Sequence, residues 1–331
     1  MSALAPLVGT LRQLASVRSL TLNDGVENGV RVLAFSTGGG LDFVVLADRS
    51  LDIGLASWCG VPLAWQSPSG FRHPSLRDPL ADRRTGLTGG LSGFLMTCGL
   101  DSIRRSEGDA PMHGELPVTP ARLTAYGENW AASPPILFCE GEIVQGRYGG
   151  SLLKLCRRIE AEAGGSAIAI IDTVENCGPE PAPHQVLYHF NLGYPAIADG
   201  TTVASAGRRI LGPLSLAAGN GPEVPQCHPA GEGEASWTVT TPSDRAGVDS
   251  LRITFKFDPV ALPVMQLWGD LRAHCGVLSI EPCTSRRTPD GGSEPGRVLQ
   301  PGERQRYRLE VSVAGTPPKI TFNTSENRVQ S

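Results

Sequence analysis

The fold of this chain is indicated by the stretch Leu187-Tyr188-His189-Phe190-Asn191-Leu192-Gly193-Tyr194-Pro195. Its mostly apolar residues lack a helical period and end at Gly and Pro, which is typical of a strand. Side chains alternate between the two faces of a strand, so His189 and Asn191 share one face. A core imidazole explains His189 alone equally well. Asn191 beside it favours a polar pocket, because two buried polar groups need partners or a ligand.

The same strand pattern extends outward through most of the 331 residues, and the 40 glycines and 27 prolines punctuate it. More than a dozen short strands with almost no helix predict an all-β protein, a large antiparallel β-sandwich. The predicted strands are 30–35, 43–46, 50–55, 118–125, 136–144, 152–159, 167–174, 185–192, 236–240, 251–257, 264–267, 277–281 and 307–313.

The N-terminal segment 3–18 has the best helical pattern, with Leu4, Leu7, Leu11 and Leu14 at three- and four-residue steps. We therefore expect a short helix that packs before the sheets, within an extension over 1–20. The segments 214–234 and 67–93 are predicted loops, and the second is a plausible lid over a cleft. Strand signals continue on both sides of these loops, which favours a single domain over 1–331.

Composition excludes several classes of protein. The net charge is −4, without a basic run beyond pairs such as Arg286-Arg287, so we expect no nucleic-acid partner. No apolar run approaches the roughly 20 residues of a membrane helix, so we expect no membrane partner. The N-terminus lacks a secretory pattern and the eight cysteines are scattered, which predicts reduced thiols and a cytoplasmic protein. An open sheet edge makes a homodimer possible.

Two further polar residues stand in unusual places. Glu281 ends the apolar strand around Leu278-Ser279-Ile280 and is followed by Pro, and burying such a carboxylate is costly unless it is paired. It is a candidate general base, although an edge-strand carboxylate facing water is the alternative. His113 precedes a Gly that allows close approach, so a ligand could reach it, and the alternative is a turn histidine. His184, after a Pro, is interpreted as a weaker loop or edge residue.

Other side chains are candidates for binding a substrate. The guanidinium fork of Arg49 or Arg104 can hold hydroxyls or a carboxylate, although a surface ion pair explains each equally well. Trp268 could stack on the apolar face of a sugar, although a core indole is commoner, and Gln266 shares its strand face. Phosphate-binding loops, a nucleophile elbow and a His-Glu-x-x-His zinc motif are all absent from the sequence.

Together these residues resemble the galactose mutarotase-like superfamily, in particular its branch of aldose 1-epimerase family proteins long labelled as a domain of unknown function. The resemblance runs from near residue 30 to near 313, and the order of the motifs is more specific than any one of them. The matching motifs are Asp48-Arg49-Ser50-Leu51-Asp52-Ile53-Gly54, Thr97-Cys98-Gly99-Leu100, His113-Gly114, Tyr188-His189-Phe190-Asn191-Leu192-Gly193-Tyr194-Pro195, Gln266-Leu267-Trp268 and Glu281-Pro282-Cys283-Thr284.

The resemblance implies a large antiparallel β-sandwich and an enzyme that interconverts sugar anomers without a cofactor or metal. It also implies that His113 holds the sugar, His189 protonates the ring oxygen and Glu281 takes the proton of the anomeric hydroxyl. The family histidine lies three residues before the Phe, whereas His189 lies one before it. His189 thus keeps the sheet face but moves about 6–7 Å along the strand.

Three functions therefore remain open from the sequence. The first is an aldose 1-epimerase-like isomerase acting on a small-molecule sugar, with Arg49, Arg104, Asn191, Gln266 and Trp268 as substrate-binding residues. The second is a non-catalytic sugar-binding or sensing protein on the same fold, because a fold does not fix a function. The third is a metal-assisted sugar isomerase or lyase, because two histidines and a glutamate match a ligand set for a transition metal.

Overall fold

The computed structural model describes residues 4–77, 91–105, 111–146, 150–219, 221–243, 250–318 and 320, and strands dominate it. Short 3-10 turns are at Ala5–Leu7, Leu11–Gln13, Gly25–Glu27, Pro74–Leu76 and Leu116–Val118. The strands are β1 (Ser16–Thr21), β2 (Arg31–Ser36), β3 (Leu41–Leu46), β4 (Asp52–Trp58), β5 (Val61–Pro62), β6 (Leu95–Leu100), β7 (Arg122–Asn129), β8 (Ile136–Gly146), β9 (Leu152–Glu162), β10 (Ala167–Asn176), β11 (Ala182–Gly193), β12 (Thr202–Ser205), β13 (Arg208–Leu211), β14 (Gln226–Pro229), β15 (Ala235–Thr241), β16 (Leu251–Phe257), β17 (Val264–Asp270), β18 (Val277–Cys283), β19 (Arg297–Leu299) and β20 (Arg304–Ala314).

The strands form antiparallel sheets, as the sequence predicts. β1 to β5 form a five-stranded sheet in chain order. A nine-stranded sheet has the order β13-β12-β15-β16-β20-β10-β9-β8-β7. The third sheet has the order β14-β17-β18-β11-β19, and β6 also pairs with β11. The predicted all-β, antiparallel β-sandwich is therefore confirmed.

Burial follows the sequence pattern strand by strand. β9 and β10 alternate between buried and half-buried residues, because one face packs on the core while the other is half-accessible. β11 is buried at nearly every position, which explains why its residues form a continuous apolar run. It lies inside the molecule and presents its two faces to two different environments.

One face of β11 packs against the nine-stranded sheet. The rings of Phe190 on β11 and Phe255 on β16 lie 5.1 Å apart. On the same face, the ring Nε2 of His184 lies 2.7 Å from the hydroxyl of Tyr307 on β20. His184 is fully buried, so its interpretation as a loop or edge residue was wrong. Its Nδ1 also lies 3.0 Å from the carbonyl oxygen of Leu100, so the ring joins β11 to two strands.

A buried ionic network ties the sheets together. Arg157 on β9 donates through two nitrogens to Asp172 on β10, at 2.9 and 2.7 Å. The hydroxyl of Tyr188 on β11 donates to the same carboxylate at 2.7 Å. Arg157 also donates to Asp52 on β4 at 3.2 Å, and Asp52 accepts the hydroxyl of Thr97 on β6 at 2.7 Å. The network thus reaches all three sheets through directional bonds.

The N-terminal segment differs from its prediction. Instead of a packing helix over residues 3–18, its described part contains two single 3-10 turns, and residues from Ser16 onward form β1. Leu7 is 76% exposed and Leu4 is 49% exposed, so the periodic leucines do not pack against the sheets. The pairing of β1 with β2 supplies backbone hydrogen bonds that a continuing helix would forfeit.

The two predicted loops have different outcomes. The segment 214–234 contains β14, a short strand at the edge of the third sheet, and is otherwise irregular where it is described. Of the segment 67–93, residues 78–90 lie outside the described residues, so its role as a lid stays a prediction. β6, which follows that segment, is a fully buried strand that the sequence pattern did not indicate.

We expect Arg157→Met to lower the free energy of unfolding by about 3–5 kcal/mol, because it removes one partner of a buried ion pair. Arg304→Met is the matched control, since Arg304 pairs with Glu175 at the surface and such pairs contribute at most about 1 kcal/mol. Urea denaturation monitored by tryptophan fluorescence measures both. Equal effects of the two substitutions would contradict the importance of the network.

Candidate functional site

The site is built on the face of β11 that points away from the nine-stranded sheet. Residues of β17 and β18 pair so that Gln266 lies directly opposite Glu281. The pairs Leu187–Cys283 and Phe190–Ile280 set the register of β11 with β18, which places His189 opposite Glu281 on the other side. Directly opposed side chains in antiparallel strands have Cβ atoms about 4.5–5.5 Å apart. Three residues distant in sequence therefore form one row.

His189 and Glu281, here called the acid–base pair, face each other directly. Nε2 of His189 lies 3.4 Å from Oε1 of Glu281, and their side chains are 5% and 1% exposed. That distance is slightly longer than an ordinary hydrogen bond, as is common for catalytic groups without substrate. Oε1 has no hydrogen-bond partner, so it is the oxygen of the carboxyl group that is available to a ligand.

Asn191 fixes the tautomer of His189. Its amide nitrogen donates to the carbonyl oxygens of Gly93 and His189, at 3.1 and 3.2 Å. These two carbonyls can only accept, so the amide oxygen must point toward Nδ1 of His189, 2.7 Å away. The hydroxyl of Ser279 also donates to this oxygen, at 2.9 Å. Nδ1 therefore carries hydrogen, and in the neutral ring Nε2 offers its lone pair to Glu281.

Gln266 fixes the other end of the acid–base pair by the same logic. Nε of Arg104 donates to its amide oxygen at 3.0 Å, and an arginine can only donate. The amide nitrogen of Gln266 must then donate to Oε2 of Glu281, as it does through a short contact. Oε2 is thus held as an acceptor, and a proton on Glu281 belongs on Oε1.

Arg104 has its donors occupied inside the protein. Nη1 donates to the carbonyl oxygen of Ser285 and the hydroxyl of Ser293, each at 3.0 Å, and Nη2 lies 3.3 Å from Sγ of Cys283. The side chain is 1% exposed. These contacts give Arg104 a positioning role toward Gln266, whereas its predicted direct contact with substrate has no support from them.

His113 approaches the acid–base pair from the segment after β6. Its ring centroid lies 5.7 Å from that of His189, edge to face, and its Nδ1 lies 3.4 Å from Sγ of Cys98. Gly114 makes this placement possible, because a Cβ there would lie 2.3 Å from the carbonyl oxygen of Gly99. The close approach that the glycine permits is therefore to the protein's own backbone. His113 remains partly exposed.

The last two predicted residues, Trp268 and Arg49, have different surroundings. The ring centroid of Trp268 lies 6.1 Å from that of His189, and the indole is partly exposed. Arg49 donates to the carbonyl oxygens of Ser92 and Leu95, at 2.6 and 2.9 Å, and its Nε lies 3.3 Å from Asp52. These contacts join Arg49 to the scaffold and not to the acid–base pair. Its binding of a substrate stays a prediction.

Burial reverses the usual order of the two pKa values of the acid–base pair, so that the pKa of Glu281 lies above that of His189. It raises the pKa of Glu281 to about 7, although Arg104, the Gln266 bond and Arg287 oppose the rise. Burial lowers the pKa of His189 to about 4, against the effect of the Asn191 bond. Burial and the neighbouring His189 lower the pKa of His113 to about 3. Between about pH 4 and 7 the acid–base pair therefore holds one exchangeable proton, on Glu281.

Two contributors were missed by the sequence reasoning. Arg287 follows β18 and acts electrostatically on Glu281, but in the sequence it is only half of an arginine pair. Ser279 shares the face of Glu281, which strand alternation would have indicated. In the described ranges no group of three His, Cys, Asp or Glu side chains has the arrangement of a metal site. None of the helices described in this chain has the length and apolar character of a membrane span.

Comparison with solved structures identifies the class of fold. A Klebsiella pneumoniae protein, provisionally assigned as an aldose 1-epimerase, aligns with a TM-score of 0.70 and 17% identity over 90% of this chain and 83% of its own. A galactose mutarotase related enzyme of Lactobacillus acidophilus gives 0.60 and 10% over 92% and 100%. A galactose mutarotase-like protein of Clostridium acetobutylicum gives 0.54 and 11% over 91% and 98%. The fold is therefore that of the galactose mutarotase-like proteins.

The sequence itself places the chain in a family. The model of the family described as a domain of unknown function, DUF4432, matches residues 27–313, and the chain belongs to that family. The family match and the structural likeness confirm the resemblance inferred from the motifs. No curated protein is similar to the chain in sequence. At identities of 10–17% the structural likeness shows the fold, and the chemistry has to be argued from the site.

We expect Glu281→Gln to stabilise the protein as pH rises. The pKa of Glu281 is raised by folding, so its contribution to stability is present below its unfolded pKa and is lost as pH rises toward 7. Glutamine stays neutral, so the substitution should gain about 2–3 kcal/mol in the free energy of unfolding at pH 8 relative to pH 5. Urea denaturation at the two pH values measures the gain.

Glu234→Gln is the matched control, because Glu234 pairs with Lys256 at the surface and is 67% exposed. Its free energy of unfolding relative to the unmodified protein should change little between the two pH values. A Glu281→Gln protein that gains nothing at pH 8 would show that Glu281 is ionised and well stabilised there.

Proposed function

We propose that this protein is an aldose 1-epimerase-like isomerase, which interconverts the α and β anomers of a sugar through proton exchange with His189 and Glu281. The observation that carries the proposal is the 3.4 Å approach of Nε2 to Oε1 between two fixed side chains. Mutarotation needs a donor at the ring oxygen and an acceptor at the anomeric hydroxyl. These two oxygens are bonded to the same carbon, so two adjacent groups can reach both.

The proposed steps balance without a cofactor. Glu281 gives the proton on Oε1 to the ring oxygen, and Nε2 of His189 takes the proton of the anomeric hydroxyl as the bond between C1 and the ring oxygen breaks. Rotation about the C1–C2 bond then turns the open aldehyde. On closure His189 returns its proton to the carbonyl oxygen, and Glu281 recovers its own from the closing hydroxyl.

This assignment reverses the roles that the resemblance implies, in which His189 is the acid. Two facts support the reversal: Asn191 holds hydrogen on Nδ1 of His189, and burial favours a neutral ring beside a protonated Glu281. Both assignments use the same number of protons. His113 and Trp268, the partly exposed rings beside His189, are proposed to contact the sugar.

We expect the protein to accelerate anomer exchange of at least one aldose in saturation-transfer NMR. Glu281→Gln and His189→Gln should each lower the rate about 10²–10⁴-fold, which is the usual contribution of a positioned acid or base. The rate should be greatest between about pH 4 and 7, where the acid–base pair holds one proton. The rate should fall below and above this pH range. A pair with both groups protonated lacks an acceptor, and a pair with both groups deprotonated lacks a donor.

His228→Gln is the matched control and should retain the rate, because this ring packs on Trp237 and its strand neighbour Cys227 is the residue facing Gln266. Full activity of Glu281→Gln would refute the mechanism. Binding of sugars in calorimetry without any exchange of anomers would support a sugar-binding protein instead of an enzyme.

The amide of Gln266 makes a second prediction about the pH profile. Its hydrogen bond lowers the pKa of Glu281, so Gln266→Met should raise that pKa further. The alkaline limb of the activity profile should then move to higher pH, while the acidic limb, which follows His189, stays in place. A merely structural role for Gln266 would lower the rate equally at every pH, and rate profiles from pH 4 to 9 separate the two outcomes.

A further inference from the structure

The backbone around Arg287 is anchored to Arg104, the arginine that contacts Gln266. The backbone of Arg287 pairs with that of Ser293 in an isolated antiparallel bridge. The hydroxyl of Ser293 and the carbonyl oxygen of Ser285 both accept from the buried Arg104. The segment that carries Arg287 is therefore attached to the same arginine that positions Gln266. Arg287 acts electrostatically on both Glu281 and His113.

The guanidinium of Arg287 has no hydrogen-bond or ion-pair partner among the described residues, although it is half-buried. Among the described residues, the three most buried arginines are Arg49, Arg104 and Arg157, and all three donate to acceptors. Nη2 of Arg287 lies 3.0 Å from the point that a Cβ at residue 291 would occupy. Because residue 291 is glycine, no side chain stands between its backbone and the guanidinium of Arg287. The guanidinium is partly open to solvent and is therefore available to a ligand.

The charge around the acid–base pair is unbalanced toward the positive. Arg104 and Arg287 are both close enough to act on Glu281, which burial keeps largely protonated below pH 7. Asp290 also acts on Arg287, but it is exposed and bonded to Thr288 and Gly292 in its own turn. An unpaired guanidinium in this setting is suited to a carboxylate or phosphate, because its planar fork donates two parallel hydrogen bonds.

We infer that the substrate is an aldose that carries an oxyanion, a carboxylate or a phosphate, and that Arg287 binds this group while the anomeric centre lies at His189 and Glu281. The inference rests on the proposed function for the placement of the anomeric carbon. It adds the chemical class of the substrate, which neither the fold nor the acid–base pair specifies.

The test compares sugars that share one ring and differ in charge: D-glucose, D-glucuronate and D-glucose 6-phosphate, with the galactose series as a second set. Anomer exchange is measured by saturation-transfer NMR, and binding by calorimetry. We expect kcat/KM for one charged member to exceed that of its neutral partner by about 10- to 100-fold, the usual effect of a hydrogen bond to a charged group. Whether the carboxylate or the phosphate is preferred identifies the oxyanion.

Arg287→Gln should lower kcat/KM for the charged sugar, mainly by raising KM, until the ratio of the charged to the neutral sugar falls to about one. The ratio is the readout, because Arg287 also acts on Glu281 and its removal affects the rate with both sugars. Arg286→Gln is the matched control, because it removes the adjacent positive charge and should preserve the preference. Arg287→Lys should recover only part of it, since an ammonium lacks the fork.

The failure of this inference and that of the proposed function are distinguishable. Equal rates for neutral and charged sugars, unaffected by Arg287→Gln, would overturn the inference and leave the isomerase intact. If no sugar shows anomer exchange, calorimetry decides: charged sugars that bind only with Arg287 present would support the inference alone. Binding that depends neither on the charge of the sugar nor on Arg287 would overturn the inference.

Discussion

The site depends on the buried carboxylate of Asp172, which accepts two hydrogen bonds from the guanidinium of Arg157 and one from the hydroxyl of Tyr188. Hydrophobic burial holds the sheets together but is non-directional, so it does not by itself set how far β11 sits along the nine-stranded sheet. The bonds of the buried network are directional, and they involve a residue adjacent to His189. Because neighbouring side chains of a strand point to opposite faces, fixing Tyr188 on one face fixes His189 on the other. We infer that the network specifies this register. Buried ion pairs are weak evidence for net stability, and specificity is the role best suited to this one.

Most polar side chains buried among the described residues are hydrogen-bonded, and one of the exceptions, Oε1 of Glu281, lies at the site. Asn191, Gln266 and Arg104 are buried and bonded on every side that the described contacts show. Oε1 of Glu281 has no hydrogen-bond partner, and the half-buried guanidinium of Arg287 makes no hydrogen bond to another described residue. Unsatisfied polar atoms destabilise a fold, so they persist where a ligand or a reaction uses them. The same reasoning separates groups that position from groups that react. Both ends of the Gln266 amide are hydrogen-bonded within the protein, whereas Oε1 of Glu281 and the guanidinium of Arg287 are available to a ligand.

The sequence predicted features that depend on a single strand, such as its position and the face on which a side chain lies. It did not predict features that depend on how two strands pair. Alternation and the Gly and Pro boundaries predicted β9, β10 and β16 closely, and they placed His189 and Asn191 on one face. The residues of β6 carry no alternation because both faces are buried, so that strand was missed. The leucine spacing at the N-terminus matched a helix, but β1 pairs with β2, and Leu4, Leu7 and Leu14 are exposed. The contact of Arg104 with Gln266 depends on how segments distant in sequence come together, which no single segment of sequence contains.

Burial gives the acid–base pair its chemistry, and the charge of Arg104, together with the amide of Gln266, limits how far burial raises the pKa of Glu281. A carboxyl group enclosed by three strands would hold its proton too tightly to release it near neutral pH, because desolvation disfavours the charged form. Gln266 donates to Oε2, and Arg104 behind it adds positive charge, so the pKa of Glu281 rises only to about 7. Proton transfer is most effective when the pKa of the group lies near the working pH, and an interconversion that runs in both directions needs a group that gives and recovers a proton with similar ease. The row of residues across β17, β18 and β11 thus sets the pKa of Glu281. The proposed acid and base roles follow from the neighbours that bond to the oxygens of Glu281 and the nitrogens of His189.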